Sequence, residues 1–332
     1  MNMFLVFILG LAFIATLNYE KKLFMNNVFF FIVSNFIFIF TVSILPEGFA
    51  DDQYEYFDYM RFSLNEIPSI EVSTMYIASF IPVQIFEFDM LSVRYLFFIS
   101  FVLLLLKILK NFSLGHLSLL LLLAMPSVFL HSSLFLREPI SYVFIILFVY
   151  FVLKKQLFFS SLFYIVIVAV RPDSAALVAP FFLFFLSGRR NIQNFGIIFL
   201  LILYIYIILF SPLSLLLDGY RGLFSMPPFN LDFNSFYMAS KNLLLGSTLI
   251  QVETFLIIFE TIIATIMIAN MKNKNFIILM WFVGILLIGS ISNNSGFIIR
   301  LRSPLILITV IYFFYERYNL INNNKVTKVI GN

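Results

Sequence analysis

Long apolar runs recur along the whole 332-residue chain and constrain its fold more than any other feature. Crossing the hydrocarbon core of a bilayer takes roughly 20 predominantly apolar residues in a helix. In lipid, a spanning segment must satisfy its own backbone hydrogen bonds, and a helix does so internally. The sequence therefore predicts an all-α, polytopic membrane helix bundle, formed as a single domain over residues 1–332.

The apolar runs divide into about eleven predicted membrane helices. Their predicted bounds are 3–19, 27–46, 93–109, 115–133, 139–153, 157–171, 174–187, 192–216, 250–270, 275–291 and 303–316. Two long connections, at 47–92 and 217–249, are predicted to lie outside the membrane on the same side. With 62% hydrophobic and 11% charged residues, the composition excludes a soluble globular domain.

Basic residues in the connections predict the orientation, because short loops rich in Lys and Arg stay in the cytoplasm. The predicted inner set contains Lys21, Lys22, Lys107, Lys110, Lys154, Lys155, Arg189, Arg190, Lys272, Lys274, Arg317, Lys325 and Lys328. The predicted outer set contains Arg61, Arg94, Arg137, Arg171, Arg221, Lys241, Arg300 and Arg302. The two sets alternate, so the N-terminus is predicted outside and the C-terminus in the cytoplasm.

The two sets also differ in residue type. The inner set has ten lysines and three arginines, whereas the outer set has seven arginines and one lysine. Arginine carries a planar, permanently charged fork that grips phosphate through two hydrogen bonds. The outer arginines therefore indicate a phosphate-binding role, although a chance bias in a lysine-rich sequence would give the same pattern.

The two outer connections carry candidate binding residues. In the first, an acidic stripe at helical spacing (Asp51, Glu55, Asp58) and an apolar stripe (Tyr56, Phe57, Met60, Leu64) predict an amphipathic helix, lying on the membrane or solvated. The second is rich in Gly, Pro, Asn and aromatic residues, which is typical of a lid or binding loop. Its aromatic rings suit either sugar stacking or an interfacial belt.

Charged clusters recur near the predicted outer ends of the helices. They are Asp51/Asp52, Arg137/Glu138, Arg171/Asp173 and Arg300/Arg302. Asp173 also fits the N-cap of the following helix. Helix capping does not explain Arg171. An arginine in an apolar setting needs a partner of opposite charge. Arginines from three chain regions at one membrane face predict a pocket for a lipid-linked pyrophosphate.

Several kinds of chemistry are not expected. The chain has no cysteine, its two histidines lie far apart, and no glycine-rich phosphate loop is present. We expect no metal site, no cofactor and no nucleic-acid partner. Any enzymatic reaction should be metal-independent.

These motifs, in this order, resemble the bacterial polysaccharide polymerases of the O-antigen polymerase (Wzy) type, especially the EpsG-like branch. The resemblance covers residues 51–304: an early acidic segment followed by tyrosines (ADDQYEYFDY), an Arg–Glu pair opening a helix, a polar motif before a small-residue helix (RPDS), and a late R-x-R-x-P motif. Members of the branch often have Gln where this chain has Glu138, and His in the third motif, where this chain has none.

The resemblance implies a GT-C-like fold in the bacterial cytoplasmic membrane, with a periplasmic N-terminus. It implies a polymerase that transfers a growing O-antigen or capsule-type glycan from undecaprenyl pyrophosphate onto a new lipid-linked unit. Membrane lipid and a chain-length regulator protein are further expected partners. The expected pyrophosphate ligands are Arg137, Arg171, Arg300 and Arg302, and the expected sugar contacts are Asp51, Tyr54, Tyr220 and Arg221.

The general base remains open among Asp173, Glu138, Asp52 and His131. His131 also suits interfacial packing. Two other functions compete with the polymerase: another glycosyltransferase using a lipid-linked donor, and a flippase of the lipid-linked unit. A flippase would carry charges along a pathway at mid-membrane depth. Glu260 is the main mid-helix charge, and its own helix supplies no cation.

Overall fold

The computed structural model describes residues 2–17, 21–44, 57–58, 81–111, 125, 127–128, 132–134, 137–186, 241, 252–272, 274–289 and 295–330. Across these ranges all regular structure is helical and there is no β-strand. The predicted all-α bundle is confirmed at this level. Two helical stretches, Phe24–Ser43 and Met90–Ile108, are long and apolar enough to cross a membrane, and four shorter apolar helices accompany them.

The part of the chain that the structure describes contains nine long α-helices. They are α1 (Asn2–Leu17), α2 (Lys21–Ile44), α3 (Met90–Asn111), α4 (Arg137–Leu153), α5 (Leu157–Val170), α6 (Pro172–Leu186), α7 (Val252–Ala269), α8 (Lys274–Gly289) and α9 (Ser295–Ile330). The predicted helix at 192–216 lies outside the described residues, as does most of the one at 115–133.

Most predicted helix bounds agree with the structure to within a few residues, but the last helix is an exception. The sequence places its start at 303, after the two arginines, whereas α9 begins at Ser295 and continues to Ile330. Pro304 therefore lies inside the helix and Arg302 within its first three turns. The predicted span began only after the two arginines because lipid disfavours charge. In the structure, Arg302 faces partners inside the protein rather than lipid.

The first outer connection is described only in part. Phe57 is buried and Asp58 is exposed, and both are helical. The rest of the predicted amphipathic stripe lies outside the described residues. Closer to α3, a π-helical turn over Ile81–Ile85 leaves Ile81 and Ile85 exposed.

Aromatic contacts join α4, α6 and α9 at one level, and a second level of contacts, Glu138 with Arg171 and both Leu177 and Leu305 beside Gly284, shows that the three helices run parallel. Phe148 of α4 packs on Phe181 of α6, and Phe181 packs on Tyr312 of α9, with ring centroids 6.3 and 6.1 Å apart. Each ring follows a charged residue by ten positions, namely Glu138, Arg171 and Arg302. Ten helical residues rise about 15 Å. The three charged residues therefore lie at one common level of the bundle.

The opposite end of these helices is basic and exposed. Its exposed residues are Lys154, Lys155, Lys272, Lys274 and Arg317, which we call the basic end. The turn between α7 and α8 is tied to α9, because the backbone N–H of Lys272 donates to Glu316 and the Arg317 guanidinium donates to the Asn270 carbonyl. The structure thus gathers five members of the predicted inner set at one end.

Large apolar side chains cover much of the outer surface. Phe4, Phe36 and Phe158 expose 68%, 69% and 76% of their surface. Exposed rings on three different helices would be unfavourable in water, where contiguous apolar patches are small. Together with the two long apolar helices, they favour a membrane setting.

Close packing of α8 against α9 generates a first prediction. A Cβ atom at Gly284 would lie 2.6 Å from Leu305 Cδ1, and Leu305 is fully buried. Gly284→Val should therefore destabilise the bundle by about 1–3 kcal/mol, as expected for core overpacking. The thermal midpoint of the detergent-purified protein measures this. Adding Leu305→Ala should recover part of the loss, and Ile278→Val on the exposed face serves as the control; an unchanged midpoint for Gly284→Val would contradict the packing.

Candidate functional site

Arg171 lies at the junction of two helices and pairs with Glu138. Its backbone N–H donates to the Ile167 carbonyl at 2.7 Å, which ends α5, and its carbonyl accepts from Ala175 at 3.0 Å, which begins α6. Pro172 then opens α6, a position that tolerates proline because no helical donor is needed there. The Arg171 guanidinium contacts the Glu138 carboxylate, and the two side chains are only 4% and 3% exposed.

Glu138 lies where two sources of positive electrostatic potential meet. It lies in the first turn of α4, where the free backbone N–H groups of a helix stabilise a negative charge. Arg171 adds an opposite charge at contact distance. Neither ion would be tolerated alone in an apolar interior, because burial of an unpaired charge is strongly unfavourable. The pair therefore joins the start of α4 to the α5–α6 junction.

Arg302 and Glu260 form a second buried pair. Arg302 Nε lies 3.4 Å from Glu260 Oε2, and the side chains are 0% and 1% exposed. The same guanidinium donates to the Ile257 carbonyl at 3.2 Å and to the Thr261 hydroxyl at 3.0 Å. All three partners lie on α7, and the guanidinium also sits 5.8 Å from the centre of the Trp281 ring on α8. Arg302 is therefore anchored along one helix by several contacts.

Two serines connect this second pair to the chain segment that precedes α4. The backbone N–H of Ser127 donates to Glu260. The Ser303 hydroxyl donates to the Ser127 carbonyl at 2.9 Å. Because these contacts join residues more than 130 positions apart, they fix the segment around 127 against both α7 and α9.

Tyr142 lies close to both ion pairs. It follows Glu138 by one helical turn, so both side chains project from the same face of α4. The Tyr142 hydroxyl interacts electrostatically with Glu138, Arg171 and Glu260, and the Ser303 hydroxyl lies beside it. We call the connected set of buried polar residues the polar layer: Ser127, Glu138, Tyr142, Arg171, Glu260, Arg302 and Ser303.

The polar layer lies far from the basic end. Each of its four charged residues is 12 to 16 positions along the chain from the nearest basic-end residue. That separation corresponds to about 18–24 Å of helix, out of the ~30 Å of a bilayer core. Arg94 on α3 is also buried, and its Nε donates to the Ser133 carbonyl at 2.8 Å. The described arginines of the predicted outer set are thus buried rather than displayed at the surface.

The structure brings together three of the residues predicted for the site: Glu138, Arg171 and Arg302. Three more lie in the helices that carry them, although their side chains are outside the described residues: Arg137 begins α4, Asp173 lies in the first turn of α6, and Arg300 lies in α9. Because α6 begins at Pro172, the position before its first residue belongs to Arg171 rather than Asp173. Six candidates lie outside the described residues: Asp51, Asp52, Tyr54, His131, Tyr220 and Arg221.

Sequence reasoning did not identify the partner of Glu260, nor the roles of Tyr142, Ser127 and Ser303. The sequence did signal that Glu260 has a partner, because a carboxylate in the middle of an apolar helix requires a cation from elsewhere. Choosing Arg302 required knowing that α7 and α9 are neighbours. The serines and the tyrosine carry no comparable signal, since such residues are common in membrane helices.

This arrangement can bind an anion by exchange of partners. Two guanidinium groups are held in a low-dielectric interior, each neutralised by a carboxylate. A phosphate oxygen can replace such a carboxylate without changing the balance of charge around the arginine. In the described part of the chain, no group of three or more His, Asp or Glu side chains is placed to hold a metal ion.

Comparison of this chain with known protein families, characterised proteins and solved structures gives no match. Function is therefore inferred from the residues of the polar layer and from the order of the motifs.

The two buried pairs predict a specific pattern of compensation. Removing one partner of a buried pair leaves an uncompensated charge and costs about 3–5 kcal/mol, whereas replacing both by neutral groups of similar size is far better tolerated. We therefore expect Glu260→Gln and Arg302→Met to reduce the folded protein sharply when made singly, and the double variant to recover it. Size-exclusion profiles of detergent extracts measure the amount of folded protein.

The same comparison of single and double variants, made with Glu138→Gln and Arg171→Met, tests the first pair. Exposed Lys274→Met provides the control for removal of a surface cation and should leave the profile unchanged. Equal losses for the single and double variants would show that pairing does not stabilise the bundle.

Proposed function

We propose that this chain is a glycan polymerase of the bacterial cytoplasmic membrane that resembles the Wzy type. It would join undecaprenyl-pyrophosphate-linked oligosaccharide units into an O-antigen or capsule-type polysaccharide at the outer face. The observation that carries the proposal is the polar layer, in which arginines from two of the four motifs lie buried with carboxylates inside an all-helical, apolar bundle. This setting suits a ligand with an anionic pyrophosphate and a long apolar tail.

The depth of the polar layer supports an outward-facing site. In the predicted orientation the basic end faces the cytoplasm, so a layer about 18–24 Å away lies in the outer half of a ~30 Å core. A lipid pyrophosphate in the outer leaflet needs its cations near this depth. The finer architecture belongs to the same proposal: about eleven membrane helices, a GT-C-like arrangement, and outer connections at 47–92 and 217–249 that reach the sugars.

The proposed reaction is a displacement at the anomeric carbon of the donor glycan. The acceptor hydroxyl oxygen forms the new bond to that carbon while the bond to the pyrophosphate oxygen breaks. The lipid pyrophosphate leaves with the electron pair, and the hydroxyl proton passes to a carboxylate. Positive charge at the leaving group lowers the barrier because negative charge grows there in the transition state.

Two residues of the first pair fit the central roles. When donor pyrophosphate binds Arg171, it displaces Glu138 from the guanidinium. The carboxylate then accepts a hydrogen bond from the acceptor hydroxyl, which keeps it paired and lets it act as general base. Arg302, held in place by Glu260, supplies a second positive charge nearby. Arg137 and Arg300 complete the proposed cation set, and Asp173, Asp52 and His131 remain the alternative bases.

A second candidate is a flippase for the lipid-linked unit, and one observation favours it. Glu260 is the ninth residue of the 18-residue helix α7, and its partner Arg302 comes from another helix. Paired charges in the interior of a bundle also occur along transport pathways. A glycosyltransferase that uses the same donor without polymerising it is a narrower alternative to the leading proposal.

The first test of this proposal is the size distribution of surface glycan in cells that lack the protein. We expect a single lipid-linked repeat without its ladder, restored by the wild type and not by Arg171→Ala. The double variant Glu138→Gln/Arg171→Met, which should keep the bundle folded, should also fail to restore the ladder. Arg171→Lys should remain impaired, because lysine cannot reproduce the bidentate fork. Arg317→Ala, which removes an arginine at the basic end, is the matched control and should restore the ladder.

The same cells separate the polymerase from the flippase. A polymerase defect leaves single lipid-linked repeats exposed on the outer leaflet, where an impermeant glycosidase or lectin reaches them. A flippase defect retains them on the cytoplasmic side. A normal ladder in cells without the protein would overturn the polymerase proposal.

A separate prediction concerns orientation, and the absence of cysteine from the chain makes it simple to test. Exposed Lys155 and Lys272 belong to the predicted cytoplasmic side, and exposed Asp58 to the predicted outer side. A membrane-impermeant maleimide added to intact spheroplasts should label Asp58→Cys and should label Lys155→Cys or Lys272→Cys only after the membrane is opened. The reverse pattern would place the polar layer in the inner half of the membrane.

A further inference from the structure

Tyr142 stands out in the polar layer because its hydroxyl is buried without a completed hydrogen bond. The residue is only 1% exposed. The Ser303 hydroxyl lies beside the phenol, but within the described residues no group accepts a hydrogen bond from the phenol O–H. Buried tyrosine hydroxyls usually find a partner, as Tyr95 does with the side-chain oxygen of Asn35. The Tyr142 hydroxyl therefore faces a position that a polar atom should fill.

The surroundings of Tyr142 indicate what kind of atom that is. Its ring is anchored against Phe101, with centroids 6.2 Å apart, while the hydroxyl is in the electrostatic field of Glu138, Arg171 and Glu260. A phenol can both donate and accept, and here the unused function is the O–H donor, so the missing partner is an acceptor. The adjacent acceptor, Glu138, is already engaged by Arg171. An incoming anionic oxygen that binds Arg171 would arrive within the same small polar volume.

We propose that Tyr142 is a substrate-contacting residue, whose hydroxyl donates a hydrogen bond to a phosphate oxygen of the pyrophosphate that Arg171 binds. This inference rests on the proposed function and extends it, because nothing in the motif pattern singles out Tyr142. The neutral donor adds no charge to the buried layer, so it leaves the charge balance of the two ion pairs unchanged. Its position one turn after Glu138 lets α4 present the proposed base and the phosphate donor side by side.

The test is equilibrium binding of radiolabelled undecaprenyl pyrophosphate to the full-length protein in lipid nanodiscs, with inorganic pyrophosphate as competitor. We expect Tyr142→Phe to raise the Kd by about tenfold or more, the factor expected for one hydrogen bond to a charged group. Tyr312→Phe is the matched control. It removes a buried phenol from α9 about 15 Å below the layer and should leave the Kd unchanged.

A second readout locates the binding event. Trp281 is the sole tryptophan of the chain and lies against Arg302 in the polar layer. Its emission should change on binding of the lipid pyrophosphate to wild type, and at higher ligand concentration for Tyr142→Phe. Competition by inorganic pyrophosphate would show that the anion itself is recognised. Failure to compete would show that the lipid tail is required. The inference holds in both cases if Tyr142→Phe weakens binding of the lipid pyrophosphate.

The outcomes distinguish failure of the role of Tyr142 from failure of the proposed function. If wild type binds the lipid pyrophosphate and Tyr142→Phe binds it equally well, the role of Tyr142 is overturned and the proposed function stands. The hydroxyl would then serve only to hold a water molecule. If folded wild type binds no pyrophosphate compound, the proposed function fails and the role of Tyr142 fails with it.

Discussion

The pairing of buried charges is the constraint on which the arrangement of this bundle depends. Aromatic and aliphatic packing supplies most of the contact between the helices, but hydrophobic burial is non-directional and would tolerate helices displaced along one another. An ion pair does not tolerate this, because displacement leaves two unpaired charges in an apolar interior. Glu138 with Arg171, and Glu260 with Arg302, therefore set the relative positions of helices that are far apart in the sequence.

The two pairs are alike in charge but differ in how firmly they are held. Arg302 contacts a carboxylate, a carbonyl and a hydroxyl along α7 and lies against the Trp281 ring. Arg171 projects from the junction between α5 and α6, where its own backbone ends one helix and begins the next. In the proposed reaction, these surroundings suit Arg302 as a fixed positive charge and Arg171 as the arginine that exchanges a carboxylate for a phosphate.

Much of the fold could be predicted from residue patterns because lipid imposes a simple rule on the backbone. Most helices appear within a few residues of their predicted bounds, since an apolar run in lipid must be helical. The start of α9 was predicted wrongly for an instructive reason. Arg302 looks like the edge of a membrane helix when only its charge is considered, and becomes part of the helix interior once Glu260 neutralises it.

The residues of the site likewise fall into those that the sequence singles out and those that only the structure reveals. Glu138, Arg171 and Arg302 could be selected from the sequence because charge in an apolar run is expensive and therefore conspicuous. Tyr142 and Ser303 could not, because their hydroxyl groups are unremarkable in a helix and gain significance only from neighbours on other elements. The sequence by itself determined that the chain forms helices and that certain charges need partners. Only the tertiary structure decided which partners they have, because pairing depends on which helices are adjacent and at what level, and local sequence encodes neither.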